Sequence, residues 1–268
     1  MIIDFHTHVF PDKIAGRTIA LLSEKGGIPP FSDGTVAGLV KRMEEGGVDI
    51  AVALPVLTSP SQFDSVNRFA AELNESFRGK DRRIVSFAGI HPRCDDIEGK
   101  MRLIKDTGFL GVKIHPDYQG TFIDDEGYVR IVRCASELDL IVVTHAGVDA
   151  AYPDTVHCPP DRALRLIRRA PHSKLVLAHL GGNEMSNEVI DNLAGEDVYL
   201  DTAYVLRGTA RETFLRILEK HGSDKILFAT DSPWSDVRGD VEILKAFGLD
   251  EGDESRIFYE NAAKLLGI

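Results

Sequence analysis

Eight short runs of valine, isoleucine and leucine recur along this chain, separated by segments with helical spacing, and that alternation leaves very few folds open to it. The runs span Ile2 to His6, Ile50 to Pro55, Ile84 to Ile90, Leu110 to His115, Leu140 to His145, Lys174 to His179, Val198 to Thr202 and Ile226 to Asp231. Most show no polar alternation, so they read as strands covered on both faces, as in a parallel sheet wrapped by helices. Amphipathic stretches lie between them, including Val36 to Glu45, Ser65 to Arg78, Glu126 to Glu137, Arg162 to Arg169 and Arg211 to His221. Eight βα units allow an open doubly wound sheet or a closed (β/α)8 TIM barrel, and eight strands within 268 residues favour closure. No Pro/Gly/Ser-rich linker interrupts the pattern, so residues 1–268 are expected to form a single domain.

The chemistry collects at the ends of these strands. His6 with His8, His115, His145, His179 and Asp231 each stand where a strand finishes. In a closed parallel barrel all C-terminal strand ends open into one mouth, which makes neighbours of residues more than two hundred positions apart. His6 and His8 are two apart and share a strand face, so they can share one ion. Imidazoles suit zinc, and a catalytic zinc keeps an open position beside three protein ligands. His145 is the natural third ligand and Asp231 the next. Taken alone, the H-x-H pair is weak evidence, since an ordinary surface pair is commoner.

The set DFHTH, KIHP, THAG, LAHLGG and ATDSPW, running from Asp4 to about Trp234, resembles the amidohydrolase superfamily. It is most similar to the amidohydrolase-related branch that includes aminocarboxymuconate-semialdehyde decarboxylase. The resemblance implies metal ligands at His6, His8, His145 and Asp231, and a catalytic role for His179. It also implies a tail from Phe258 to Ile268 that closes the fold as a helix. Lys113, sharing a face with His115, has two readings: a carboxylated lysine bridging two metals, as in dihydroorotase-like relatives, or a buried ion-pair partner. His115 itself could bind substrate or metal. One divalent ion is expected, zinc first and manganese second, with two ions if Lys113 is carboxylated.

The resemblance implies a metal that activates water and polarises a carbonyl, with Asp231 moving the water's proton and His179 stabilising the oxyanion. Hydrolysis of an amide, lactone or ester is the first expectation. Non-oxidative decarboxylation of a small unsaturated or aromatic acid is the second, and a non-catalytic metal- and ligand-binding barrel the third. TatD-type nucleases share a similar H-x-H and GIHP, but their fourth strand carries a glutamate that this chain lacks.

Around this core, Arg93 and Arg207 follow strands and could clamp a substrate carboxylate. Tyr118, Tyr152 and Trp234 could wall an apolar pocket. Gly181 and Gly182 would permit a sharp turn close to a ligand. His91 reads as a loop or supporting residue, His157 and Cys158 as a lead into the helix at Arg162, and His172 and His221 as structural groups at the opposite end of the barrel.

The formal net charge of −11 opposes binding to nucleic acid. Cys94, Cys134 and Cys158 share no close spacing, which fits reduced thiols in a cytoplasm better than disulfides. The start MIIDFHTHVF lacks the form of a signal peptide, and no run approaches the length of a membrane span. The expected partner is a small-molecule substrate, with a homodimer as the commonest assembly.

Overall fold

The computed structural model describes residues 1–80 and 83–268. Among them nine strand segments form: β1 (Ile3–Thr7), β2 (Ile50–Ala53), β3 (Arg83–Ser86), β4 (Ala88–Gly89), β5 (Gly111–Ile114), β6 (Ile141–Thr144), β7 (Leu175–Leu177), β8 (Tyr199–Asp201) and β9 (Ile226–Leu227). All pair parallel with their sequence neighbours, in the orders β1-β2-β3 and β4 through β9. Phe87 alone separates β3 from β4, so these two segments are one barrel strand with a local break. The remaining seam is joined by main-chain bonds. The N–H of Phe5 donates to Phe228 O (2.9 Å), that of Asp231 to His6 O (2.8 Å) and that of His8 to Ser232 O (2.6 Å). The eight strands of the (β/α)8 barrel are thereby those legible in the sequence.

Alternation along each strand sorts the apolar residues into two layers. Phe5, Val52, Phe87, Val143, Val176 and Leu227 fill the barrel interior. Their neighbours Ala51, Ala53, Val112, Val142, Leu175 and Phe228 belong to the larger cluster under the surrounding helices. Successive side chains on a strand point to opposite faces, so an apolar run without alternation serves both layers at once. Ala262, Leu265 and Leu266 of the final helix, Asn261–Leu266, join the interior cluster. Asn261 Nδ2 fixes this helix by donating to Ile226 O (2.8 Å) and Ser223 O (2.7 Å), where β9 begins. The helix therefore closes the end of the barrel opposite the strand C-termini. No helix among the described residues is long and apolar enough to cross a membrane.

One irregularity bears on the site. Asp4 pairs with Ala51, but Thr7, not His6, pairs with Ala53. The extra residue shifts the register of β1 and re-aims its last side chains. Phe5 thus packs inside the barrel, while His6 and His8 both line the cavity at its mouth.

Candidate active site

The hydrogen bonds around His6 and His8 decide where their protons sit. Both oxygens of Asp201 act as acceptors. Oδ1 takes the backbone N–H of His179 (2.9 Å) and Ala203 (3.1 Å), leaving Oδ2 for His6 Nδ1 at 2.9 Å. His8 Nδ1 donates to Leu54 O at 2.8 Å. With each proton on Nδ1, both Nε2 atoms carry lone pairs. These lone pairs meet. His6 Nε2 and His8 Nε2 are 3.2 Å apart, and Asp231 Oδ1 lies 3.5 Å and 3.0 Å from them. Ligands held at about 2.1 Å from one ion are separated by about 3.0 to 3.5 Å, so the three atoms fit a divalent cation.

The electrostatics agree. Burial drives the His6 imidazole well below its usual pKa, which keeps it neutral. Burial alone would push Asp231 up, but the His8 and His6 rings beside it act the other way and hold it at about 2. Asp231 adopts φ 64° and His179 φ 59°, a left-handed conformation that non-glycine residues seldom take and that clusters at functional sites. After His179 the chain turns sharply through Leu180 (φ 53°) and Gly181 (φ 84°), so Gly181 serves a tight turn.

Lys113 is buried, and its Nζ stands 3.0 Å from His6 Nε2. Burial lowers its pKa to about 8. Next to it lies a second group, His115, His145 and Asp149, whose ligand atoms all fall within 4.8 Å of one another. The His115 and His145 rings stack with centroids 4.4 Å apart. Burial pushes the Asp149 carboxyl up to about 6 and drives both imidazoles well below their usual pKa. His145, expected from the sequence as the third imidazole beside His6 and His8, is placed with this group. Its Nδ1 meets His179 Nε2 at 2.9 Å, and its Nε2 faces Asp117 Oδ2 at 3.6 Å.

These groups form the floor of a cavity of about 660 Å3. Its walls are mostly apolar: Ile14, Leu21 and Leu22 from the helix Asp12–Gly26, Val66 and Phe69 from the helix Phe63–Ser76, and Trp234 after β9. Tyr118 also lines it, and at the rim Lys25 Nζ sits 3.5 Å from the Tyr152 ring centroid.

The expected arginine clamps are not there, and this corrects the sequence reading. Arg93 donates to Gly120 O (2.8 Å), and Arg207 is engaged by Asp236 and Asp240; neither lines the cavity. The paths of the loops turn both away. His91 accepts the N–H of Arg93 and His157 donates to Asp117. His172 and His221 donate to Leu140 O and Val198 O, as structural groups do. Three carboxylates escaped the sequence reading: Asp117, Asp149 and Asp201. Asp201 was detectable, since it ends a barrel strand just as Asp231 does.

Comparison with known proteins places the architecture. A family model described as Amidohydrolase matches residues 3–268. A crystal structure of 2,6-dihydroxybenzoate decarboxylase with 2,6-dihydroxybenzoate aligns over 100% of this chain and 99% of its own, at 16% identity and a TM-score of 0.72. A putative amidohydrolase from Staphylococcus aureus aligns over 100% and 99%, at 21% identity and 0.74. The manganese-bound 5-carboxyvanillate decarboxylase of Novosphingobium aromaticivorans aligns over 100% and 96%, at 16% identity and 0.72. No curated protein sequence matches.

Proposed function

We propose, since the chain belongs to the amidohydrolase family, that it is a metal-dependent decarboxylase acting without an oxidant on a small aromatic or unsaturated carboxylic acid. The observation that carries this reading is the convergence of His6 Nε2, His8 Nε2 and Asp231 Oδ1 on the floor of a cavity with otherwise apolar walls. An apolar cleft with a few converging polar groups suits a planar body with one polar edge. The decarboxylases that share the barrel over the whole chain support this choice over hydrolysis of an amide, lactone or ester, the first expectation from sequence.

His6, His8 and Asp231 would hold the ion, and two imidazoles with a carboxylate suit zinc or manganese. When bound, the ion supplies Lewis acidity toward a substrate oxygen. Asp231, ionised down to about pH 2, has no proton to give in the resting protein. The proton that replaces the carboxyl group is therefore assigned to the hydrogen-bonded pair of His145 and His179, which would take up one proton from water, deliver it to the substrate carbon and end neutral as it began. As the substrate carbon takes that proton, the bond to the carboxylate breaks, its electron pair returns to the carbon skeleton and carbon dioxide leaves. Leu22, Val66 and Phe69 keep water from the reacting carbon. Three unpaired, buried cysteines support a reducing compartment such as the cytoplasm.

The test is to reconstitute the protein with manganese or zinc and offer hydroxybenzoates and 5-carboxyvanillate beside a set of lactones, esters and amides. Release of carbon dioxide, lost in His179→Asn, is the expected result. Hydrolysis of a lactone, ester or amide with no carbon dioxide from any acid would overturn the proposal in favour of the hydrolase.

A further inference from the structure

With Arg93 and Arg207 turned away, Lys25 is left among the described residues as the one cation at the rim of the cavity. It ends the face of the helix Asp12–Gly26 that also carries Ile14, Thr18, Leu21 and Leu22, all at helical spacing and all lining the cavity. The helix stops there because Gly27 takes a left-handed conformation (φ 66°), and the helix dipole favours a cation in the last turn. The Lys25 ammonium lies 3.5 Å from the Tyr152 ring centroid and 5.4 Å from that of Tyr118, two rings that meet edge to face at 82°. Aromatic faces attract the charge and hold it over the mouth, but they leave N–H donors of the ammonium free. Among the described residues no hydrogen bond or ion pair engages those donors, and Asp149 faces His115 Nε2 (3.5 Å) instead.

The floor has little left for a second anionic group. His6 Nδ1 donates to Asp201 and His8 Nδ1 to Leu54 O. His179 Nδ1 donates to Ala203 O (2.8 Å), which can only accept, so His179 Nε2 takes the proton of His145 Nδ1 at 2.9 Å. Lys113 Nζ lies against His6 Nε2. Between floor and rim the lining is mostly apolar, and it is open to whatever enters: Ile14 is 49% exposed and Leu21 62%. Covering such surface with an apolar body is favourable. The length of that body follows from Tyr118, whose ring centroid is 4.6 Å from that of His115 on the floor and 5.4 Å from Lys25 Nζ, so the ammonium stands at most about 10 Å from the His115 ring. A single benzene ring with carboxylates at opposite ends, plus one charge-assisted hydrogen bond of about 2.8 Å, is of that length.

We propose that Lys25 is a specificity-determining residue, whose ammonium receives a second anionic group on the edge of the substrate opposite the carboxylate that meets the floor. The preferred substrate is then a one-ring aromatic, or similarly long unsaturated, dicarboxylic acid. This rests on the decarboxylase reading for the orientation of the acid, while the part played by Lys25 is read from binding alone.

The test compares two acids that differ only in that group, benzoate and terephthalate, by calorimetric titration of the zinc-loaded protein. Terephthalate is expected to bind the wild type about tenfold more tightly. Lys25→Met keeps the reach of the side chain and the helix propensity but drops the charge, so the two acids should then bind within about twofold of each other, with benzoate unchanged. Lys25→Arg should keep the preference. A preference for terephthalate that survives Lys25→Met would overturn the proposal, and so would equal binding of both acids to the wild type. A lower melting temperature in Lys25→Met with the preference intact would make Lys25 a strut between its helix and Tyr152, which would also overturn it. Binding of neither acid would overturn this proposal and the functional reading together. A preference lost with Lys25, but no carbon dioxide from any acid, would sink only the decarboxylase reading. Carbon dioxide released with unchanged selectivity in Lys25→Met would sink only the role of Lys25.

Discussion

Replacing Asp201 by asparagine exchanges one oxygen for an amide nitrogen, yet it should strip the centre of much of its affinity for metal. In the wild type Asp201 accepts on both oxygens, from two backbone N–H groups and from His6 Nδ1. Asparagine has one acceptor. If its oxygen keeps the backbone bonds, its NH2 faces the Nδ1 proton of His6, donor against donor. Relief comes when His6 moves that proton to Nε2, the atom that converges with His8 and Asp231. Hydrogen bonds to charged groups contribute about 1.5 to 3 kcal/mol. At about 1.4 kcal/mol per decade, zinc binding should weaken by roughly 10- to 100-fold, the range typical when such orienting partners are lost. Competition against a colorimetric chelator measures the affinity, and the melting temperature of the metal-free variant shows whether the fold is intact. Affinity within about threefold of wild type, in a folded variant, would refute the assignment of the His6 proton and with it the reading of the centre.

Three further predictions follow from positions outside the metal ligands. Burial raises the Asp240 carboxyl to about 6, so between about pH 4 and 6 the folded chain holds a proton that the unfolded chain has lost, and stability from this group falls as pH rises. Asp240→Asn removes that slope: relative to wild type it should gain on the order of 3 kcal/mol between pH 4 and pH 7 in urea titrations, and no relative gain would contradict the shift. Gly147→Ala should lower the melting temperature by on the order of 10 °C, because Gly147 has φ 84° and a Cβ there would stand 2.1 Å from Asn183 N. A loss of only a degree or two would mean the loops move apart freely. Arg93→Ala should leave the KM for a carboxylic acid within about twofold, since a lost ion pair with substrate would cost far more; a tenfold rise would restore Arg93 as a clamp.

How far the sequence could be read follows from what each feature depends on. The eight strands were legible because burial on both faces leaves a run such as Leu175–Leu177 with no polar residue. His6, His8 and Asp231 were legible because barrel closure carries every strand end to one mouth. His145 lines that mouth with them, but which neighbour each of its ring atoms faces could not be read, since it depends on Ala203, whose main-chain oxygen orients His179 from another strand end. Asp117 and Asp149 lie beyond strand ends, where chain path and not periodicity decides which acid meets which histidine. The same holds for Arg93 and Arg207, whose partners Gly120 and Asp240 are separated from them by 27 and 33 positions.

The line of hydrogen bonds that ends on Ala203 O has an evolutionary side. A side-chain acceptor can be deleted or turned into a donor by one codon change, whereas a peptide carbonyl is present whatever residue occupies the position. The polarity of the line from His145 to His179, and the Nδ1 proton that Leu54 O holds on His8, are therefore insulated from point mutation at their anchors. The cavity walls have no such protection, since Leu21, Leu22 and Phe69 act only through their side chains. Drift in this chain should change which molecule enters far more readily than where the protons of its histidines sit.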